Sequence, residues 1–209
     1  MLGLPKSTEI KKQLPKTAIY TRFSMNAAAK EKFDSDISRL TIVNEVSKVT
    51  SSIPAGSTVA SFYVVLIVLK RKEYSDATIA QISKLINQNM LFILAYESES
   101  KLAIYHTKLI STEWQPSESL SISLKGLDLN AVWDNIVKEL EGGEWNDALS
   151  VEENITAHEQ IEQMQKQIAA LERKARTEKQ PKKKFEIVQE ITELKRRCES
   201  EKLRIVPNI

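Results

Sequence analysis

The chain has 209 residues, and its 30 lysines and arginines nearly balance its 28 acidic residues, which leaves a formal net charge of only +2. An overall charge this small excludes binding of polyanions through bulk charge. A local basic patch could still bind them. Apolar residues make up 42% of the chain, which is enough for the core of one ordinary domain plus an extension.

The sequence contains one cysteine, Cys198, so an internal disulfide is excluded and a reducing compartment is indicated. Its apolar stretches are shorter than the roughly 20 residues that span a bilayer, and the amino terminus lacks the apolar block of a signal peptide. We therefore expect a cytoplasmic protein without membrane contact.

The amino-terminal segment predicts a basic arm followed by a short helix. Residues 1–20 are expected to lie along the surface of the domain, and contact with nucleic acid is the alternative. The lysines of this arm are Lys6, Lys11, Lys12 and Lys16. Residues 25–36 have helical spacing that turns Ala29 and Phe33 inward.

The centre of the chain predicts a sheet. Residues 39–49 have strand composition, and residues 62–69 form an unbroken apolar run that is typical of a central strand covered on both faces. Residues 90–96 and 102–110 are two further strand-like runs. The short polar segment 97–100 between them indicates a hairpin.

A helix is predicted between the central strand and that hairpin. Ser75 offers an N-cap oxygen, and Ile79, Ile82 and Ile86 mark one apolar stripe before residues 87–89 end the helix. A helix of this length can connect two parallel strands. The sheet is therefore expected to be mixed.

Two more elements are predicted beyond the hairpin. Residues 119–124 alternate serine with leucine or isoleucine, which indicates an edge strand with one wet face. Asp128 can cap a following helix, which Gly142 and Gly143 end. The buried stripe of that helix is Leu129, Val132, Trp133, Ile136, Val137 and Leu140.

The carboxyl-terminal part predicts an antiparallel helical hairpin of coiled-coil character. Ser150 and Glu153 form a capping box, and apolar residues then recur with heptad spacing on either side of a break at Pro181. This assembly seam consists of Ile161, Met164, Ile168, Leu171, Ile187, Ile191, Leu194 and Cys198.

These elements predict an α+β fold. A mixed sheet of about four or five strands with covering helices precedes the helical hairpin. We expect an α+β domain with its basic arm over residues 1–143, a linker over 144–149 and the hairpin over 150–209.

Three segments resemble, in the same order along the chain, a bacterial protein family known as domain of unknown function 4391. The segments read LGLPKSTEIKKQLPKTAIY, LFILAYESESKLAIYHTK and ARTEKQPKKKFEIVQEITELKRR. The tail is also similar to the helical extensions of restriction-modification subunits. The resemblance implies a neighbourhood of helicases and DNA methyltransferases in restriction-like, phage-defence loci, and it implies no activity and no functional residues.

One short motif raises the question of a nuclease. Glu97, Glu99 and Lys101 contain the Glu-x-Lys spacing that binds magnesium and a water in restriction-type nucleases, but such a site needs another carboxylate on a neighbouring strand. Glu45 or Asp34 could supply it only from an adjacent strand. The alternative is a solvated polar turn with no catalytic role, and we favour it.

Metal and cofactor sites are not indicated elsewhere. His106 and His158 have no paired histidine or cysteine spacing, so no metal site is expected. Five glycines nearly exclude a glycine-rich phosphate loop, and no cofactor is expected. Cys198 falls on the seam, where cysteine is usually a small core residue.

Two basic clusters are candidates for contact with nucleic acid. They are Lys70, Arg71 and Lys72, and Lys179, Lys182, Lys183 and Lys184. Lysines at loop tips are usually only solvated, yet each phosphate contact adds salt-dependent affinity. No aromatic residue interleaves the lysines, which leaves base stacking without support.

The preferred hypothesis is a non-catalytic accessory or adaptor subunit of a bacterial DNA-targeting complex that assembles through its helical hairpin. A helicase or DNA methyltransferase is the partner that the resemblance implies, and self-association is the alternative. A small metal-dependent nuclease and a nucleic-acid-binding subunit with lysine-rich tips are the other hypotheses.

Overall fold

The computed structural model describes residues 2–143, 145–146 and 148–205, and the chain forms two compact units that divide between Gly142 and Gly143. Positions 144 and 147 of the predicted linker, and positions 206–209 of the predicted hairpin, lie outside the described residues.

The first unit combines helices with a mixed sheet. Its helices are α1 (Lys16–Arg22), α2 (Ala27–Asp36), α3 (Lys48–Ser51), α4 (Asp76–Ser83) and α5 (Leu129–Glu141). Its strands are β1 (Glu9–Gln13), β2 (Ile37–Ser47), β3 (Ser61–Leu69), β4 (Asn89–Tyr96), β5 (Glu99–Tyr105), β6 (Leu109–Ser111) and β7 (Gln115–Pro116).

The sheet has the order β1-β2-β3-β4-β5-β6, with β7 also paired to β5, which makes seven strands among the described residues. The β3–β4 pair is parallel and is connected through α4, whereas the other pairs are antiparallel. The predicted mixed sheet, central strand, parallel crossover and β4–β5 hairpin are therefore confirmed.

Helices cover the central strand on both faces, because its side chains alternate between two apolar layers. Val65 and Ile67 belong to a core cluster that also contains residues of α1, α2 and α4. Phe62 points the other way and packs against Trp133 of α5, with ring centroids 5.3 Å apart. This two-sided burial explains the apolar run.

The prediction of an arm for residues 1–20 was wrong in part. Residues 9–13 form β1, the exposed edge strand, and Lys16–Arg22 forms α1, whose Ile19 is fully buried. All five residues of β1 are exposed, so the strand has no apolar alternation that would reveal it.

Two boundaries and one strand were also predicted wrongly. The run 102–110 is divided between β5 and β6, where the His106 N–H donates to the Lys108 carbonyl at 3.0 Å. The strand predicted over residues 119–124 is absent, because Ser119 ends a short 3-10 helix and residues 120–124 pair with no strand among the described residues, although the Ile122 N–H donates one hydrogen bond to the Leu2 carbonyl. Helix α4 ends at Ser83, three residues before Ile86.

The second unit contains the predicted helical hairpin, formed by α6 (Val151–Thr177) and α7 (Pro181–Ile205). Ser150 and Glu153 form the capping box at the start of α6. The seam of α6 packs against that of α7 in two apolar clusters that share Ile168. Five of the predicted seam residues are buried, namely Ile161, Met164, Ile187, Ile191 and Cys198.

Candidate functional site

Ion pairs neutralise most cations in the shaft of the hairpin, which we define as residues 151–172 and 187–205. The pairs are Glu162–Lys166 (2.7 Å), Glu172–Lys195 (2.8 Å), Glu193–Arg196 (2.8 Å), Glu199–Lys202 (2.8 Å) and Glu201–Arg204 (3.5 Å). Solvent-exposed pairs of this kind add little stability. They do leave the shaft with few uncompensated cations.

The tip of the hairpin, residues 173–186, has the opposite charge pattern. Its cations are Arg173, Lys174, Arg176, Lys179, Lys182, Lys183 and Lys184, and all of them are exposed. Within the described part of the chain, none of these cations forms an ion pair. The tip has only Glu178 and Glu186 as acids, so it is strongly positive.

The lysines of α7 lie at the end of the helix that disfavours positive charge. Proline at the first position pre-organises a helix start, and α7 begins at Pro181. Lys182, Lys183 and Lys184 follow at once, and the first turn contains no acidic residue. The partial positive charge of a helix N-terminus repels cations. Helix stability therefore does not explain these lysines.

An exposed aromatic side chain lies beside the lysines. Phe185 is 62% exposed and Val188 is 45% exposed, although both belong to a helix that buries Ile187 and Ile191. Base stacking had no support in the sequence, because no aromatic residue separates the lysines. The seam spacing could have revealed Phe185, because a residue two positions before Ile187 lies on nearly the opposite side of the helix.

The other predicted basic cluster is largely engaged within the first unit. Arg71 donates to the carboxylate of Asp36, which is 1% exposed and also accepts from the Ser75 N–H. Burial alone would raise the pKa of Asp36, but the hydrogen bonds from Arg71 and Ser75 outweigh it and hold that pKa below its ordinary value. Lys72 forms an ion pair with Glu99.

The residues considered for a nuclease lie in and beside the β4–β5 turn. Glu97 has φ 52° in the turn itself, and Glu99 is the partner of Lys72. Lys101 Nζ lies 5.3 Å from the ring centroids of both Tyr74 and Trp114, and burial lowers its pKa. These contacts give the charged groups a structural use.

No cluster of three histidine, cysteine or acidic residues suited to a metal ion is found within the described ranges. Glu45 lies opposite Tyr63 in the β2–β3 pair, and Asp34 accepts hydrogen bonds from Lys16 and Tyr20. Neither acid therefore joins the Glu-x-Lys residues in such a cluster.

The remaining candidates have different surroundings. Cys198 is buried in the seam and is 4% exposed. The ring of His158 lies 6.2 Å from that of Trp145 in the second unit. His106 follows β5 and borders a cleft of the first unit.

Among the described residues, every helix is too short or too polar to cross a bilayer.

An α+β unit followed by a helical hairpin with a basic tip defines the structural class of the protein. The family described as a domain of unknown function (DUF4391) matches residues 2–197, and the chain belongs to that family. No curated protein and no solved structure matches the chain.

Proposed function

We propose that the protein is a non-catalytic accessory subunit of a bacterial DNA-targeting complex and that it contacts single-stranded nucleic acid through the hairpin tip. One observation carries the proposal: the tip presents exposed cations without ion pairs, including three lysines at an unfavourable helix end. Local rules of stability are commonly broken where a residue has a functional use.

The chemistry of the tip favours a single strand over a duplex. Lysines bind phosphates without reading sequence, and release of counterions makes that binding fall with salt. Phe185 offers an exposed ring on which an unpaired base can stack, and such stacking contributes about 1–3 kcal/mol per base. In a duplex the bases already stack on each other.

The family resemblance is consistent with this role. It implies a neighbourhood of helicases and DNA methyltransferases, and a helicase produces single strands. A subunit that holds a strand needs no catalytic group of its own.

The test is binding of the full chain to fluorescently labelled single-stranded and duplex oligonucleotides, followed by anisotropy at low salt. The tip variant combines Lys182→Ala, Lys183→Ala and Lys184→Ala. The matched shaft variant combines Lys166→Ala, Lys195→Ala and Lys202→Ala, which removes the same charge. We expect the tip variant to lose about tenfold or more in affinity for the single strand, and the shaft variant to bind normally.

Equal losses in both variants would show that binding follows net charge, and the proposal would then be wrong. Unchanged binding in the tip variant would also contradict it. Phe185→Ala should weaken the single strand more than the duplex, because only an unpaired base can stack on the ring.

A groove on the hairpin favours a second candidate function, an adaptor that docks a helix of a partner protein. The groove has a volume of about 440 Å³, and Ile168, Ala169 and Cys198 form its apolar floor. Glu172 and Lys195 lie at its side. An apolar floor with a charged rim is suited to an amphipathic helix.

Ala169→Glu tests the adaptor, because it places a charge on the groove while the exposed position tolerates it in the fold. We expect this variant to lose a helicase or methyltransferase that co-purifies with the native chain from its host. A partner retained at native yield would exclude the groove as the docking site.

A further inference from the structure

The first unit contains a second candidate site, a cleft of about 820 Å³. It lies where β3 and β4 begin and β5 ends, so loops from separate parts of the chain form its walls. The volume is within the range of roughly 300–1,000 Å³ that small-molecule sites occupy. None of the described residues that line the cleft is an aspartate or a glutamate.

Two cations and a histidine border this cleft from different elements. Arg22 is the last residue of α1, Lys84 is the C-cap of α4, and His106 follows β5. Helix C-termini favour positive charge, so Arg22 and Lys84 suit their places at helix ends. In the part of the chain that the structure describes, these side chains form no hydrogen bond or ion pair.

Amide side chains add neutral donors and acceptors. Asn87, Gln88 and Asn89 follow one another along the cleft wall at the start of β4. Their side chains also make no hydrogen bond among the described residues. The chain leaves α4 at Ser83 and passes through a loop before β4 begins at Asn89.

Aromatic rings supply an apolar wall. Tyr105 and Trp133 are half-buried and line the same cleft. Trp133 packs against Phe62 at 54° with centroids 5.3 Å apart, so its position is fixed by the core. A flat ligand can pack against such a rigid wall.

We infer that the cleft binds a phosphorylated nucleoside. Arg22 and Lys84 match a phosphate in charge, and His106 offers a ring nitrogen, because an anion meets donors and no carboxylate there. The amides match the hydrogen-bonding edge of a base, and the rings match its face. The nucleoside phosphate can be a free nucleotide or the 5′ end of a strand.

The experiment is calorimetric titration of the full chain with each of four probes. They are an equimolar mixture of the nucleoside 5′-monophosphates, the corresponding nucleosides, inorganic phosphate, and a short 5′-phosphorylated oligonucleotide. The cleft variant combines Arg22→Ala and Lys84→Ala. The control variant combines Arg39→Ala and Lys125→Ala, which removes the same charge at exposed positions outside the cleft.

We expect the monophosphates to bind more tightly than nucleosides or phosphate alone, and the cleft variant to lose about tenfold or more, as charged hydrogen bonds imply. The control variant should bind like the native chain. The inference would be overturned if the monophosphates did not bind and the cleft variant bound the oligonucleotide as tightly as the native chain. It would also be overturned if the cleft and control variants bound the monophosphates equally.

Two further arms identify the source of the ligand and separate this site from the hairpin tip. The source is read in the variant with Lys182→Ala, Lys183→Ala and Lys184→Ala, which removes the proposed tip contact. In that variant, tighter binding of the phosphorylated oligonucleotide than of the monophosphates identifies a strand end as the ligand, and the reverse identifies a free nucleotide. Monophosphate binding should survive in the tip variant with Lys182→Ala, Lys183→Ala and Lys184→Ala. Loss of monophosphate binding in that variant would contradict a site in the cleft.

Discussion

The α+β unit and the helical hairpin use their polar groups in different ways. In the first unit, buried polar groups find internal partners: Asp36 is paired with Arg71, and the Asn44 side chain donates to the Thr8 hydroxyl at 2.8 Å. At the hairpin tip, cations such as Lys183 are exposed to water and have no carboxylate partner among the described residues. The difference separates residues that hold a fold together from residues that are free to meet a ligand.

The apolar side chains of the first unit are also more deeply buried than those of the hairpin seam. Phe33, Phe62 and Phe92 are among the largest side chains of the sheet core, and each is at most 2% exposed. Seam residues such as Ile187 and Ile191 are 7–8% exposed. The comparison predicts that core substitutions affect stability most and that tip substitutions affect binding.

The largest expected effect is in the sheet core. Phe92→Ala should lower the free energy of unfolding by about 3–5 kcal/mol, because it removes a fully buried ring and leaves a cavity. Phe185→Ala is the matched control at an exposed position and should change stability by less than about 0.5 kcal/mol. Urea unfolding followed by circular dichroism measures both, and equal losses would contradict the comparison.

A smaller effect is expected in the seam of the hairpin. Ile191→Ala should destabilise the hairpin by about 2–4 kcal/mol, because Ile191 packs in the cluster with Ala175 and Ile187. Hydrogen exchange resolved by peptide should show faster exchange in α6 and α7 and unchanged protection in β3 and β4. Val188→Ala, on the exposed side, is the control, and uniform acceleration over both units would contradict separate stability.

The buried carboxylate of Asp36 should contribute less and should depend on pH. Asp36→Asn should destabilise the first unit by about 1.5–3 kcal/mol, towards the lower end because Arg71 is half-exposed. Asp34→Asn, at a more exposed carboxyl, should cost less.

The sign of the pH dependence follows from the pKa of Asp36, which is lower in the folded state than its ordinary value of 3.8. The native chain therefore keeps its full advantage over Asp36→Asn above that value, and loses it as the pH falls through the lowered pKa. Thermal unfolding of both chains between about pH 7 and pH 2 measures this. A stability advantage of the native chain that increases as the pH falls would contradict the prediction.

The smallest expected effect has a distinctive direction. Lys182→Glu should stabilise the hairpin by about 0.3–1 kcal/mol at low salt, because a negative charge in the first turn of α7 suits the helix dipole. The same substitution should weaken binding to nucleic acid. Thermal unfolding measures the change in stability, and anisotropy measures the change in binding. A destabilised hairpin would contradict the argument that these lysines serve binding.

Much of the fold was predictable because the signals were local. The apolar run of β3, the capping box at Ser150 and the heptad spacing each follow from neighbours along the chain. The serine alternation of residues 119–124 was misleading, because a strand also needs a partner strand, and a periodic sequence does not supply one. The polar edge strand β1 was missed for the opposite reason: its sequence has no strand pattern, and only its pairing with β2 defines it.

The candidate sites were less predictable because they depend on contacts between distant residues. The lysines of the tip were identified from the sequence, but the exposure of Phe185 was not. Arg71 was predicted as a nucleic-acid contact, yet its partner Asp36 lies 35 residues earlier in the chain. The cleft has walls from α1, α4 and α5, so no single stretch of sequence carries its pattern.

The salt dependence of binding tests the central claim most directly. For a single strand, the logarithm of the affinity falls with the logarithm of the salt concentration by about 0.7 for each phosphate neutralised. Combining Lys182→Ala, Lys183→Ala and Lys184→Ala should therefore make the slope shallower by about 2. The variant with Lys166→Ala, Lys195→Ala and Lys202→Ala should keep the native slope. An unchanged slope in the tip variant would contradict the claim that the hairpin tip binds the strand.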